Sequence, residues 1–105
     1  MDIQIVTTDF KKSIENLYGQ LLYKLILFGS FARGDFNEYS DIDILMVIEN
    51  ENLRPFQEID KITPIVNDYL NKYQLLFSIV PVSRFNYEKY DFPLYKNIRL
   101  EGIEI

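Results

Sequence analysis

The sequence predicts an α+β fold, a small mixed β-sheet flanked by helices. Three observations carry this. Apolar runs at Tyr23–Phe28, Asp41–Ile48 and Leu75–Val82 have strand length and are rich in β-branched and aromatic residues. Longer stretches between them carry apolar residues at helical spacing. Clusters of turn-forming residues, Gly29–Gly34 and Asp35–Ser40, separate the first two runs. Strands alternating with helices bury a sheet under helices.

Phe10, Ile14, Leu17 and Leu21 recur at helical spacing, which predicts a first helix from about Thr8 to Leu22. Thr8 is the expected N-cap, with Asp9 in the first turn, where a negative charge meets the helix dipole. Tyr23–Phe28 is the first strand. Gly29–Gly34 reads as a turn and a short helix, with Ser30 able to cap it and Gly34 closing it. Asp35–Ser40 is a polar loop. Asp41–Ile48 is apolar on both faces beyond Asp43, so it is a central strand covered on both sides. Glu49-Asn50-Glu51-Asn52 is a solvated loop. Leu53–Lys72 reads as helix, with Phe56, Ile59, Ile62, Ile65, Val66 and Leu70 on its apolar side, and Pro64 is expected to kink or split it. Leu75–Val82 is the third strand. Ser83–Tyr90 is a short helix or turn. Pro93–Glu101 is a helix opened by Pro93 and stopped by Gly102. Ile103-Glu104-Ile105 forms a last short strand.

The 105 residues (1–105) are expected to form one domain, a length that supports a single core of modest size. No repeat, linker or low-complexity segment interrupts it. The chain has no Cys and no His. That removes disulfides, thiolate nucleophiles, zinc–thiolate sites and the usual general base. Any chemistry must run on carboxylates, hydroxyls, Arg, Lys and a hard metal. A net charge of −5 argues against a nucleic-acid partner, which a basic face would attract. No apolar run has membrane-spanning length, and Met1-Asp2-Ile3-Gln4 lacks the basic and apolar regions of a signal peptide, so a cytoplasmic location is expected.

The chemistry concentrates between the first two strands. Asp41 and Asp43 are spaced by one residue, so they share a strand face. Two adjacent carboxylates repel unless a cation lies between them. Oxygen donors without nearby Cys or His suit Mg²⁺ or Mn²⁺. Gly29-Ser30 offers backbone N–H groups at a helix start, a place where phosphate docks. Acids also commonly open strands near solvent, and Ser commonly caps helices, so each feature alone is ordinary. Together they read as a site for a nucleoside triphosphate. The Walker pattern Gly-x-x-x-x-Gly-Lys-Ser/Thr and the dinucleotide pattern Gly-x-Gly-x-x-Gly are both absent. The tripeptide Arg33-Gly34-Asp35 is a coincidence of the loop.

The full pattern is Leu27-Phe28-Gly29-Ser30, ten residues from Phe31 through Ser40, then Asp41-Ile42-Asp43-Ile44-Leu45. It resembles the minimal nucleotidyltransferases of the DNA polymerase β-like superfamily, whose motif is Gly-Ser, ten residues, Asp-x-Asp. The segment Pro93-Leu94-Tyr95-Lys96-Asn97-Ile98 to Glu101-Gly102 is similar to the closing helix of those proteins, so the resemblance spans essentially the whole chain.

The resemblance implies a palm-like nucleotidyltransferase fold. It also implies Mg²⁺-dependent (or Mn²⁺-dependent) transfer of a nucleotidyl group, with ATP as substrate, to a hydroxyl acceptor. Asp41 and Asp43 would be the catalytic metal-binding pair. Gly29, Ser30 and Arg33 would bind the nucleotide. Proteins of this size in the family are often antitoxins that pair with, and adenylylate, a small helical toxin of the HEPN class. Two alternatives stand beside this: a non-catalytic binding module that acts by contact alone, and a transferase for a small molecule such as an aminoglycoside.

The chain departs from the family in two ways. Active relatives carry a third carboxylate on the strand after the long helix, yet Tyr69 through Tyr87 holds no Asp or Glu. Ser78 is the residue expected at that position, with Gln74 the next candidate. A hydroxyl orients water but neither neutralises a cation nor serves as a base near neutral pH. Larger members also append a helical domain that holds the acceptor. Here the acceptor surface is expected to come from a partner or a second copy.

Overall fold

The computed structural model describes residues 2–105. Helix α1 (Ile3–Tyr18) leads through a single 3₁₀ turn (Gly19–Leu21) into strand β1 (Leu22–Phe28). A one-turn helix α2 (Ser30–Arg33) and a loop precede β2 (Ile42–Ile48). The long helix α3 (Pro55–Tyr73) returns to β3 (Phe77–Ser83). Helices α4 (Arg84–Lys89) and α5 (Pro93–Glu101) and a short β4 (Ile103–Glu104) complete the chain.

The sheet runs in the order β3-β2-β1-β4. β1 pairs antiparallel with β2 and with β4, and β2 pairs parallel with β3. It is therefore the expected mixed sheet, with β2 central. Ile44, Leu45, Met46 and Val47 are fully buried, which explains why β2 is apolar on both faces. β3 is an edge strand. That position tolerates Pro81, whose missing N–H faces no further strand.

Two cores lie on opposite faces of the sheet. On one face, α1 and α3 cover Leu25, Leu27, Ile42, Ile44 and Met46 with Phe10, Ile14, Ile62 and Tyr69. Phe10 stacks on Phe77 with ring centroids 4.0 Å apart, and Tyr69 packs edge-on against both. On the other face, Tyr95 and Ile98 of α5 pack on Ile26, Leu45, Val47 and Val82. Each fully buried Ile or Phe contributes about 1.5–3 kcal/mol of transfer free energy. Among the described residues, no helix is long and apolar enough to cross a membrane.

Several sequence expectations need correction. α1 starts at Ile3, capped by the Asp2 carboxylate accepting from Gln4 N–H at 2.9 Å, and not at Thr8. The Thr7 and Thr8 hydroxyls instead donate back to the Gln4 carbonyl. Ile3, Ile5, Val6 and Thr7 are β-branched and weak helix formers, so packing of Val6 and Thr7 overrides propensity. Gly19, at φ 58°, ends the helix before Leu21. Leu17 and Leu21 are consequently exposed, and Tyr18 is buried.

In α3, Phe56 is 83% exposed, and Ile59 and Leu70 are also open to solvent. The buried stripe is Glu58, Ile62 and Tyr69. The reason is a hydrogen bond: the Tyr18 hydroxyl donates to Glu58 Oε2 at 2.5 Å, with Lys61 3.4 Å from the other oxygen. A satisfied carboxylate thus takes a place that apolar periodicity assigned elsewhere. Pro64 does not split α3. It is solvent-exposed, and so is Asp60, the residue whose helical donor the proline removes, so the lost hydrogen bond falls on the outer side of α3. Glu49 is not simply solvated, since its carboxylate accepts from Arg84 at 2.7 Å.

Candidate functional site

β1 ends at Phe28, and the chain turns sharply at Gly29, with φ 71° and ψ −153°. That region of backbone space is essentially reserved for glycine. The turn lets the Gly29 carbonyl accept from both Ala32 and Arg33 N–H at 3.1 Å, closing α2 after one turn. Gly34, at φ 86°, stops it in the left-handed conformation, as its sequence position predicts. Gly29 is the N-cap of α2. Ser30 is the first helical residue and not the cap the sequence allowed. Among the described residues, the Ser30 hydroxyl has no side-chain hydrogen-bond partner.

β2 brings Asp43 directly opposite Phe28, at the end of β1, and next to Ser78 of β3. A β-carbon built on Gly29 would overlap Oδ2 of Asp43 and lie 3.2 Å from its Cγ. The turn and the carboxylate are thus in van der Waals contact. Asp43 is half-buried, and Asp41 is exposed one residue ahead of β2. Burial pushes the Asp43 carboxyl above the ordinary aspartate value, the Asp41 charge pushes it further, and Arg33 partly offsets the rise. Among the described residues, no ion pair or side-chain hydrogen bond engages Asp41 or Asp43.

Neighbours in register project to the same face of a sheet. The half-buried Ser78 hydroxyl therefore lies on the face of Asp43, as the second residue of β3 where Asp43 is the second of β2. Gln74 lies outside the strand, as the left-handed cap of α3 at φ 58°. Among the described residues, no group of three Asp, Glu, His or Cys side chains is placed to hold a metal ion.

A cleft of about 390 Å³ opens beside this turn. It is lined by Phe28, Gly29, Ser30, Arg33 and Asp43 on the sheet side and by Leu94, Asn97, Ile98 and Glu101 of α5 on the other. Asp41 and Ser78 stand outside this lining. Arg33 pairs with Asp35 at 3.2 Å and with Glu101 at 3.6 Å. The α5 wall was not foreseen from the sequence. Its only local signal is the four-residue spacing of Leu94 with Ile98 and of Asn97 with Glu101, and nothing in that spacing says which strand the helix covers.

The donor set fits a hard divalent cation: two unpaired carboxylates in electrostatic contact, with no nitrogen or sulfur donor. The Ser30 hydroxyl and the Arg33 guanidinium line the same cleft, and both are groups able to donate to a phosphate oxygen.

The nucleotidyltransferase domain family model matches residues 8–104. Three relatives come from Methanocaldococcus jannaschii (strain ATCC 43067 / DSM 2661 / JAL-1 / JCM 10045 / NBRC 100440). "Putative protein adenylyltransferase MJ0141" is 43% identical over 49 residues, 47% of this chain and 50% of the relative. MJ0604 and MJ1305, which carry the same descriptive name, are 51% and 40% identical over 37% and 43% of this chain. Those matches span 39% and 31% of the two relatives, so the chain aligns with half or less of each protein. Among solved structures, the crystal structure of a toxin-antitoxin with AMP-PNP superposes with a TM-score of 0.64 at 16% identity, covering 91% of this chain and 69% of the other. That likeness concerns the fold. With the family model spanning nearly its full length, the chain belongs to the nucleotidyltransferase domain family.

Proposed function

We propose that the protein transfers an adenylyl group from ATP to a hydroxyl on a partner protein, as an antitoxin does to a small helical toxin of the HEPN type. The observation that carries this reading is the close approach of the Gly29 turn to the Asp43 carboxylate, which sets the turn and the acid side by side at the mouth of one cleft. The names of the relatives and of the structural neighbour support the choice of adenylyl group and of a protein partner.

In this reading Asp41 and Asp43 hold Mg²⁺ or Mn²⁺. When bound there, the cation supplies a lower pKa for the acceptor hydroxyl and charge neutralisation for the triphosphate. Gly29 lets the turn close against Asp43 at the edge of the cleft, and Ser30 donates its hydroxyl to a phosphate oxygen. Arg33 offsets charge as it builds on the leaving group. The acceptor oxygen bonds to the α-phosphorus, the bond from that phosphorus to the bridging oxygen of the β-phosphate breaks, and pyrophosphate departs. The hydroxyl proton passes to water.

One observation favours a second reading. Ser78, and not a carboxylate, stands beside Asp43, and no third acid completes a metal group among the described residues. A contact-only antitoxin needs no such group. The test is incubation with α-labelled ATP and Mg²⁺, with and without a small helical HEPN-type protein. Label on that partner, lost on changing both Asp41 and Asp43 to Asn, supports transfer. A stable complex without label supports contact alone.

A further inference from the structure

Among the described residues, Arg33 is the one cation lining the cleft, and acids surround it. Its guanidinium pairs with Asp35 through Nε and with Glu101 through Nη1, while Asp43 lines the same cleft and is coupled to Asp41. The Arg33 charge is felt at Asp43, yet no ion pair forms between them. A flexible, fully charged side chain within electrostatic reach of the unpaired Asp43 carboxylate would be expected to fall onto it. Something holds it away.

Glu101 is built to do so. It occupies the last turn of α5, whose end is seated tightly against β1. The Gly102 N–H donates to the Ile98 carbonyl at 2.7 Å, and a β-carbon at Gly102 would meet Ile26 Cγ2 at 2.7 Å. Immediately after it, β4 pairs Ile103 with Leu27 and Glu104 with Ile26, and Ile105 N–H donates to the Leu25 carbonyl at 3.0 Å. A strand of two residues adds little to the sheet. Its effect is to pin Glu101 beside the end of β1, across the cleft from α2.

We propose that Glu101 is a positioning residue: with Asp35 it holds the Arg33 guanidinium across the cleft and off Asp41 and Asp43, keeping those carboxylates available to a divalent cation. This rests on the reading of Asp41 and Asp43 as metal ligands. Glu101 touches neither metal nor acceptor in this role and acts through Arg33.

The test is Mn²⁺ binding to the full chain, read from the electron paramagnetic resonance signal of free Mn²⁺, with no nucleotide present. Glu101→Gln leaves Arg33 held by Asp35 alone, frees its Nη1 side to turn toward Asp43, and weakens binding about two- to fivefold, the range that a partly exposed ion pair supports. In an Arg33→Gln background the same change has no effect, because no guanidinium remains to be held. Unaltered binding in Glu101→Gln overturns the proposal. Equal weakening in both backgrounds also overturns it, since Glu101 would then act only as one more negative charge. If Mn²⁺ binds equally well when Asp41 and Asp43 are both Asn, the metal reading itself fails, which is a separate result from a silent Glu101.

Discussion

Oδ2 of Asp43 occupies the space that a β-carbon on Gly29 would need. The two halves of the sequence motif are therefore one object in space, and the glycine is required twice: once by its backbone conformation and once by the acid beside it.

This makes position 29 the most sensitive in the turn. Gly29→Ala carries a backbone cost of about 1–3 kcal/mol for leaving the glycine-only region. It also displaces the Asp43 carboxylate, so ATP binding should fall sharply. Ser30→Ala removes one hydroxyl and leaves the turn intact, so ATP binding should weaken by about 1–3 kcal/mol with little change in melting temperature. Parallel calorimetric and thermal titrations separate the two. Equal, small effects would argue against phosphate at this turn.

Asp43 should cost the metal-free fold stability. Burial, then Asp41, raises its carboxyl above the unfolded value of 3.8. A carboxyl with a raised folded pKa binds its proton more tightly when folded. Stability is therefore lost as pH climbs from the unfolded pKa through the folded one. In EDTA near neutral pH, Asp43→Asn should melt at or above the wild type, and the difference should close as pH falls toward 4. A variant that melts clearly lower would give Asp43 a structural role.

Tyr18 and Glu58 join α1 to α3 inside the core. Burial, helped by the bond to Glu58, raises the Tyr18 phenol. Tyr18→Phe leaves the Glu58 carboxylate, 4% exposed, with Lys61 alone. Urea unfolding should show a loss of about 1–3 kcal/mol, the cost of an orphaned buried acceptor. An unchanged midpoint would mean that Lys61 or water satisfies Glu58.

The parts of the fold legible in sequence were those fixed by local patterns. The strands follow from β-branched runs, and the turn at Gly29–Gly34 follows from glycine chemistry. Asp41 and Asp43 follow from a spacing that spans one loop. The illegible parts depend on tertiary partners. Phe56 reads as core until Tyr18 is seen to draw Glu58 inward and rotate the buried stripe of α3. Thr8 reads as a cap until Val6 and Thr7 are seen packed under the sheet. Glu101 reads as the end of a helix, but its place beside Arg33 does not, because that is set by β4 returning to β1, a pairing between residues far apart in the chain.

We propose above that Gly29, Ser30, Asp41 and Asp43 act as one metal–nucleotide site. Equilibrium binding of ATP, measured with saturating Mn²⁺ and again in EDTA, on wild type and on the Asp41→Asn/Asp43→Asn double variant, tests it directly. ATP binding should require Mn²⁺ and disappear in a double variant that still melts cooperatively at the wild-type temperature or above. Binding of equal strength in EDTA, or binding unchanged in the double variant, would contradict it.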